Sequence, residues 1–277
     1  MIRETSIASL DLPALEPFRT LRQTEDHRRS GIFVAEGEKV VRRLLESPIS
    51  IRSVLITPEW LEVYRQKISD RRESINVFVA KKELLEEIVG FNLHQGIMAV
   101  ADIPDEPSLE TLVALAFSPL LFVAVDGLTN SENLGVLVRN CVAFGVQGLI
   151  VGETSSSPFL RRAVRNSMGT VFKLPVHHAT NLAETLTRLR LEFHLEVMGA
   201  HPHTDQGTLS DTDLKTGCCL VFGSEGEGIS ERVRNVCSKL VAISMQSNVD
   251  SLNVANASAV FLYEVQRQRG RSHGQAS

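Results

Sequence analysis

The segment Leu220-Val-Phe-Gly-Ser-Glu-Gly-Glu-Gly-Ile229, followed by Ile243-Ser-Met-Gln-Ser-Asn-Val-Asp-Ser-Leu-Asn-Val254, organises the reading of this 277-residue chain. Cys218 to Phe222 is a short apolar run, Gly223, Gly226 and Gly228 follow, and Ile229 to Val236 has helical spacing. The order is therefore strand, tight turn, helix. Glycines let such a turn approach a ligand closely and present backbone N–H groups to it. The spacing Gly223-x-x-Gly226-x-Gly228 is not the dinucleotide fingerprint, and Glu225 and Glu227 would repel a pyrophosphate. A neutral or cationic ligand suits the turn better; taken alone, an ordinary strand-to-helix connection remains the alternative.

The second stretch opens with a strand expected over Lys239 to Ile243. It crosses a polar loop and enters a helix from about Ser251 to Gln266, whose first turns carry the small residues Ala255, Ala257, Ser258 and Ala259. Upstream, Leu120-Leu-Phe-Val-Ala-Val-Asp126 reads as a buried strand leading into Asn130-Ser-Glu-Asn-Leu-Gly-Val-Leu-Val-Arg-Asn-Cys-Val-Ala-Phe-Gly145. Asn133-x-Gly135-x-x-x-Arg139, Gly223-x-Glu225-Gly226-x-Gly228 and Ser251-Leu252-Asn253-Val254 resemble, in order, the three motifs of the SpoU (TrmH-like) RNA ribose 2′-O-methyltransferases. Arg28-Arg-Ser-Gly-Ile-Phe-Val-Ala-Glu-Gly-Glu-Lys39 and His94-Gln-Gly-Ile97 resemble the small RNA-recognition domain that precedes the methyltransferase domain in part of that family. The resemblance thus extends over nearly the whole chain.

That resemblance implies a SPOUT domain, an α/β sheet with helices on both faces whose C-terminal segment makes a trefoil knot. It also implies S-adenosylmethionine as cofactor and a homodimer that completes the site. Pattern alone would have drawn a plain doubly wound sheet, since knots are nearly absent from known folds. By resemblance Gly223, Ile243 and Leu252 hold the cofactor, and the same loops carry Gly228 and Met245. The family places an arginine such as Arg139 beside the target ribose phosphate, with Asn133, Glu225, Ser251 and Asn253 orienting Arg139 and the hydroxyl.

The chemistry accounts for these residue types. A sulfonium is already a good electrophile, so the enzyme's task is to align it with a ribose 2′-hydroxyl and ease loss of the hydroxyl proton. No metal is needed. Guanidinium is too basic to serve readily as a general base, which favours Arg139 as a phosphate clamp that stabilises a developing alkoxide. The chain departs from the common family pattern at Asn130-Ser131 before the motif asparagine, at Ser244 and at Ala255, positions that shape loops more than chemistry.

Composition is that of a globular protein, 43% hydrophobic and 22% charged, and the length suggests two domains. No apolar run approaches a membrane span, and the N-terminus lacks a signal-peptide core, so the expected compartment is the cytoplasm. Cys141, Cys218, Cys219 and Cys237 lie in apolar contexts without CxxC spacing and read as buried thiols. A net charge of −4 means that any RNA surface must be a local patch. One candidate is the basic helical stretch expected over Phe18 to Arg29, with Arg19, Arg22, Arg28 and Arg29; plain solvation of a helix face is the alternative.

Residues 1–104 are expected to form a smaller N-terminal α/β domain that binds RNA, 105–117 a linker, and 118–277 the methyltransferase domain. The second domain reads as strands at 120–125, Gly148 to Val151, Val171 to Pro175, Leu195 to Ala200 and Cys218 to Phe222, alternating with helices. Arg161, Arg162 and Arg165 are a second candidate phosphate-contacting cluster, expected at the same sheet edge as Asn133, against an alternative of surface salt bridges. His177, His178, His201, His203 and Asp205 lack metal-ligand spacing and read as exposed turn residues. Ribosomal RNA is the expected substrate from the two-domain organisation. Transfer RNA, or an RNA-binding assembly factor without turnover, are the alternatives.

Overall fold

The computed structural model describes residues 2–89, 96–246 and 249–270. His94 and Gln95 fall outside them. The chain divides into two compact units, Met1–Asp105 with Phe159–Phe172, and Glu106–Pro158 with Lys173–Ser277.

Along the first unit run β1 (Ile2–Ser6), α1 (Glu16–Arg19), α2 (Thr24–Arg29), β2 (Ile32–Glu36), α3 (Glu38–Leu45), β3 (Ile51–Ile56), α4 (Pro58–Ser69), β4 (Ile75–Val79), α5 (Lys82–Val89) and β5 (Ile97–Asp102). The five strands make one sheet in the order β1-β4-β3-β5-β2, with β5 antiparallel to both neighbours and the β1-β4-β3 ladders parallel. β1 is not among the elements expected from sequence. Its five residues include no buried one, and such an edge strand carries no hydrophobic alternation to read. The helix expected over Phe18 to Arg29 is broken in two. Thr20 Oγ1 donates to Glu16 O at 2.8 Å and lies 2.9 Å from Nε2 of buried His27, which ties the turn between α1 and α2.

The second unit continues with α6 (Leu109–Ala114), β6 (Leu121–Val125), α7 (Ser131–Ala143) and β7 (Gly148–Val151). The chain then crosses to the first unit for α8 (Arg161–Asn166). It returns for β8 (Val176–His178), α9 (Leu182–Leu191), β9 (Glu196–Ala200), β10 (Cys218–Phe222), α10 (Glu231–Arg234), β11 (Lys239–Val241) and α11 (Val254–Gln268). Six parallel strands stand in the order β11-β9-β10-β6-β7-β8. Every residue of β6, β7 and β10 is buried, as a parallel sheet covered on both faces requires.

The strand expected over Val171 to Pro175 is a 3-10 turn, Thr170–Lys173, and the strand itself starts after it. Two observations explain the shift. Met168 and Gly169 take φ of 55° and 76°, which turns the chain, and Phe172 is drawn against Phe33 of the first unit, ring centroids 5.6 Å apart. Pro175 has no N–H for a ladder, and only its carbonyl is used, accepting from Leu149 N at 2.9 Å.

Phe159 also meets Phe33, at 5.5 Å, so both aromatic ends of the inserted segment join the first unit's core. Between them Arg161 Nη1 donates to Glu36 Oε2 at 2.6 Å, and Arg165 Nη1 lies 3.3 Å from the other carboxylate oxygen. Arg43 donates to Met168 O at 2.5 Å. α8 therefore packs on β2 in the first unit, whereas Asn133, beside which the cluster was expected, lies on α7 of the second.

α7 and α11 pack on each other within the chain. Leu134, Leu137, Val138 and Cys141 are buried there, as are Phe261 and Leu262, leaving Val260 (40% exposed) and Tyr263 (56%) outward on α11. Asn140 Nδ2 donates to Ala255 O at 2.7 Å and to Ser258 Oγ at 3.0 Å, pinning the two helices where small residues allow close approach. Arg269, just past α11, donates to the carbonyls of Leu214, Pro119, Leu120 and Thr216 at 2.5–3.1 Å and anchors the far end of the helix.

Candidate active site

The carboxyl ends of β9, β10 and β11 border a cavity of about 540 Å³. Open parallel sheets bind ligands at that end. Gly223, Gly228, Ile243, Met245 and Leu252, the five residues expected to hold the cofactor, all line it. Glu225, Ser251 and Asn253 of the expected catalytic set line it as well.

The glycine turn is a small closed loop. Ser224 N donates to Gly228 O at 3.0 Å, Gly228 N donates back to Ser224 O at 3.1 Å, and Glu227 N donates to Ser224 Oγ at 3.1 Å. A Cβ on Gly223 would lie 2.0 Å from Gly228 C and 2.2 Å from Ile229 N, so only glycine lets the two strands of the loop cross. Gly228 sits at φ 68°. The helix expected over Ile229 to Val236 shortens to the four residues of α10, because Ser230 caps it by accepting from Val233 N.

Asn130, one of the departures from the family pattern, is the N-cap of α7; its Oδ1 accepts from Glu132 N at 2.9 Å and Asn133 N at 3.1 Å. Asn253 caps α11 in the same manner, accepting from Ala255 N at 2.9 Å. Its Nδ2 donates to Asn133 Oδ1 at 3.1 Å, and Asn133 Nδ2 donates in turn to Glu225 Oε1. Two helix N-termini and the glycine turn are joined in one directed chain, Asn253 to Asn133 to Glu225, ending on a carboxylate at the cavity wall.

Arg139 stands apart from that chain. It is exposed, and among the described residues it makes no hydrogen bond or ion pair. Six residues beyond Asn133 on α7, it is displaced roughly 9 Å along the axis and about 120° around it. One copy of the chain therefore does not bring Arg139 onto the Asn133 face of the helix.

Three residues lie outside the set expected from sequence. Asp126, buried at 8% exposure at the end of β6, accepts from Ser230 N at 2.7 Å through Oδ2, while its own N–H donates to Phe222 O. It thereby fixes both ends of the glycine turn. A carboxylate directly after five apolar strand residues is the signal that could have found it. His201 and His203, expected in exposed turns, line the cavity with Pro202.

His177 and His178, expected in exposed turns, instead lie half-buried in β8: His177 Nδ1 lies 3.0 Å from Pro107 O, and His178 Nδ1 lies 2.6 Å from the Glu106 carboxylate, although neither buried ring nitrogen of His178 makes a hydrogen bond among the described residues. Among the described residues no cluster of three or more His, Cys, Asp or Glu is arranged to hold a metal. The cysteines are free thiols; burial pushes Cys218 and Cys237 up to about 11 and Cys141 higher still, so none is a ready nucleophile.

The cavity suits a cationic ligand. Glu225, Glu227 and Asp250 line it with two imidazoles and, among the described residues, no lysine or arginine, and its volume is that of a small-molecule site. A sulfonium meets complementary charge there.

The family model described as SpoU rRNA Methylase matches residues 120–263, and that described as MRM3-like substrate binding domain matches residues 14–99. The chain is 36% identical over 201 residues to the 23S rRNA (guanosine-2′-O-)-methyltransferase RlmB of Pasteurella multocida, covering 72% of this chain and 81% of that one. It is 34% identical to the protein of the same name in Shewanella oneidensis, over 70% of this chain and 79% of that one. Among solved structures, the SpoU methyltransferase AviRb of Streptomyces viridochromogenes, in complex with the cofactor AdoMet, superposes with a TM-score of 0.81 at 25% identity, covering 94% and 100% of the two chains. Two of the three motif segments line one cavity and the third is tied to its wall through Asn133, in a chain matched by that family model over residues 120–263, and the chain belongs to the SpoU rRNA methylase family.

Proposed function

We propose that this chain methylates a ribose 2′-hydroxyl of ribosomal RNA, using S-adenosylmethionine. The observation that carries the reading is the convergence of two separate loops, Gly223–Gly228 and Ile243–Asn253, on one acidic cavity bordered by the Asn253-Asn133-Glu225 hydrogen-bond chain. The name of the RlmB relatives supports ribosomal RNA over transfer RNA.

S-adenosylmethionine supplies a methyl group on a sulfonium. The chain's own residues do the rest. Gly223, Gly228, Ile243, Met245 and Leu252 hold the donor, with main-chain groups for the polar edge of adenine and apolar side chains for its faces. Asn133 and Asn253 are held rigid by each other, so Glu225 and Ser251 present fixed acceptors and a hydroxyl at the cavity edge. Arg139 clamps the phosphate next to the target ribose and stabilises negative charge as it develops on the 2′-oxygen. Because Arg139 lies off the Asn133 face and has no partner among the described residues of its own chain, it serves the donor held by a second copy in a homodimer. Val260 and Tyr263 give the exposed apolar contribution to that interface. A trefoil knot formed by the C-terminal segment and a cytoplasmic location complete the reading; no described helix is long and apolar enough to cross a membrane.

The first unit is the RNA-binding part. Arg19, Arg22, Arg28 and Arg29 are all exposed and serve to bind phosphates. In the inserted segment Arg161 and Arg165 share the carboxylate of Glu36, so with Arg162 they play a secondary part.

Two measurements test this. Ribosomal RNA incubated with the protein and methyl-labelled donor in chelator should acquire label at one 2′-O position; stoichiometric donor binding with no label in ribosomal or transfer RNA would leave a binding protein instead. Neutralising Arg22, Arg28 and Arg29 should lower the salt slope of RNA binding by about one for each phosphate that the protein no longer neutralises. An unchanged slope would return those arginines to plain solvation.

A further inference from the structure

His201 and His203 play no part in the scheme above, yet they line the cavity. Their segment is held by the sheet: His201 N donates to Val241 O at 3.0 Å, so the residue extends β9 against β11 and is not carried on a free loop. Its ring is oriented as well. His203 N donates to His201 Nδ1 at 3.2 Å, across Pro202. An Nδ1 that accepts is unprotonated, and the neutral ring then carries its proton on Nε2.

The consequence depends on what else lines the cavity. Glu225, Glu227 and Asp250 are acceptors when ionised, and no lysine or arginine among the described residues lines the wall. The Asn253 amide donates to Asn133, and the hydroxyls of Ser224, which accepts from Glu227 N, and Ser251 are the other side-chain donors on the wall. A methyl donor brings oxygens of its own, the ribose hydroxyls and the α-carboxylate. In an acidic cavity with few side-chain donors, an imidazole N–H on the wall is a fitting partner for those oxygens.

We propose that His201 is a donor-binding residue, offering Nε2–H to an oxygen of S-adenosylmethionine, with His203 N holding the ring in the tautomer that makes this possible. The proposal rests on the reading of the cavity as the methyl-donor site. Ribose hydroxyl and α-carboxylate are the same chemistry to this N–H, and ligands separate them.

Calorimetry of the full chain with S-adenosylmethionine, S-adenosylhomocysteine and 5′-methylthioadenosine, which lacks the amino-acid part, provides the test. His201→Phe keeps the ring's bulk but has no N–H. His201→Asn can still accept from His203 N, but its amide stops at the position of Nδ1. Both should weaken S-adenosylmethionine binding about tenfold, the size of one well-made hydrogen bond. His201→Gln, whose amide nitrogen reaches the place of Nε2, should stay within about threefold of wild type. KM for the donor should rise with kcat retained, and the melting temperature should stay within about 2 °C, which separates a binding role from a structural one. An equal loss for 5′-methylthioadenosine assigns the ribose, and a loss confined to the two full-length ligands assigns the carboxylate. Nitrogen-15 spectra should show His201 in the Nε2–H form, with that nitrogen shifting on ligand addition. Unchanged affinity in the Phe and Asn variants, or a protonated Nδ1, overturns the proposal. If wild type itself binds no donor, the reading of the cavity fails instead.

Discussion

Replacing Gly223 with alanine should abolish S-adenosylmethionine binding, with a loss of at least about 100-fold, equivalent to roughly 3 kcal/mol. The added Cβ would sit 2.0 Å from the carbonyl carbon of Gly228, 2.2 Å from its oxygen and 2.2 Å from Ile229 N. All three are backbone atoms and cannot rotate aside. The loop must open, which breaks the reciprocal Ser224–Gly228 hydrogen bonds and draws Ser230 away from Asp126. Damage should stay local, because β10 ahead of the turn is buried along its whole length and paired with β6 and β9. Gly226, three residues on, is the control. A Cβ there meets nothing within 4 Å, so Gly226→Ala should bind the donor within a few-fold of wild type. Calorimetry and a thermal melt of the two variants side by side provide the measurement. Gly223→Ala binding as tightly as Gly226→Ala would show that the turn does not shape the donor site.

The contrast between those two glycines also marks how far the sequence could be read. Strand-turn-helix order around Phe222 was legible because five consecutive apolar residues precede three glycines, and β10 occupies Cys218–Phe222 as expected. Which glycine was indispensable was not legible, since the need arises from a crossing with Gly228 that only three dimensions create. The same holds for Asp126, whose partner Ser230 is 104 residues away. His201 and His203 looked like turn residues because nothing local reveals that β9 ends at the cavity. The inserted segment misled for another reason. Its apolar residues Phe159, Val171 and Phe172 fit the alternating pattern of the second unit, but Phe159 and Phe172 pack with Phe33, more than a hundred residues earlier. Apolar patterning reports burial, not the core in which a residue is buried.

Mixing two inactive variants should restore activity if Arg139 serves the donor bound by a second copy. Arg139→Ala would remove the proposed phosphate clamp, with an expected loss of about 10²–10³ in kcat for one such charge-stabilising group. Leu252→Trp fills a cavity-lining position and blocks the donor. In a homodimer with shared centres, a mixed dimer holds one centre carrying both lesions and one carrying neither. Random exchange makes half the dimers mixed, each with one intact centre of two, so activity should climb to about a quarter of wild type. Self-contained subunits predict no recovery, because every centre keeps one lesion. The placement of Arg139 gives this test its force. Asn133 on the same helix is joined to Glu225 and Asn253, whereas Arg139 is exposed, about 120° around α7 and without a partner among the described residues of its own chain. Its neighbour Asn140 faces the seam with α11, donating to Ala255 and Ser258. Absence of recovery, with subunit exchange confirmed by a labelled copy, would mean that each chain completes its own centre.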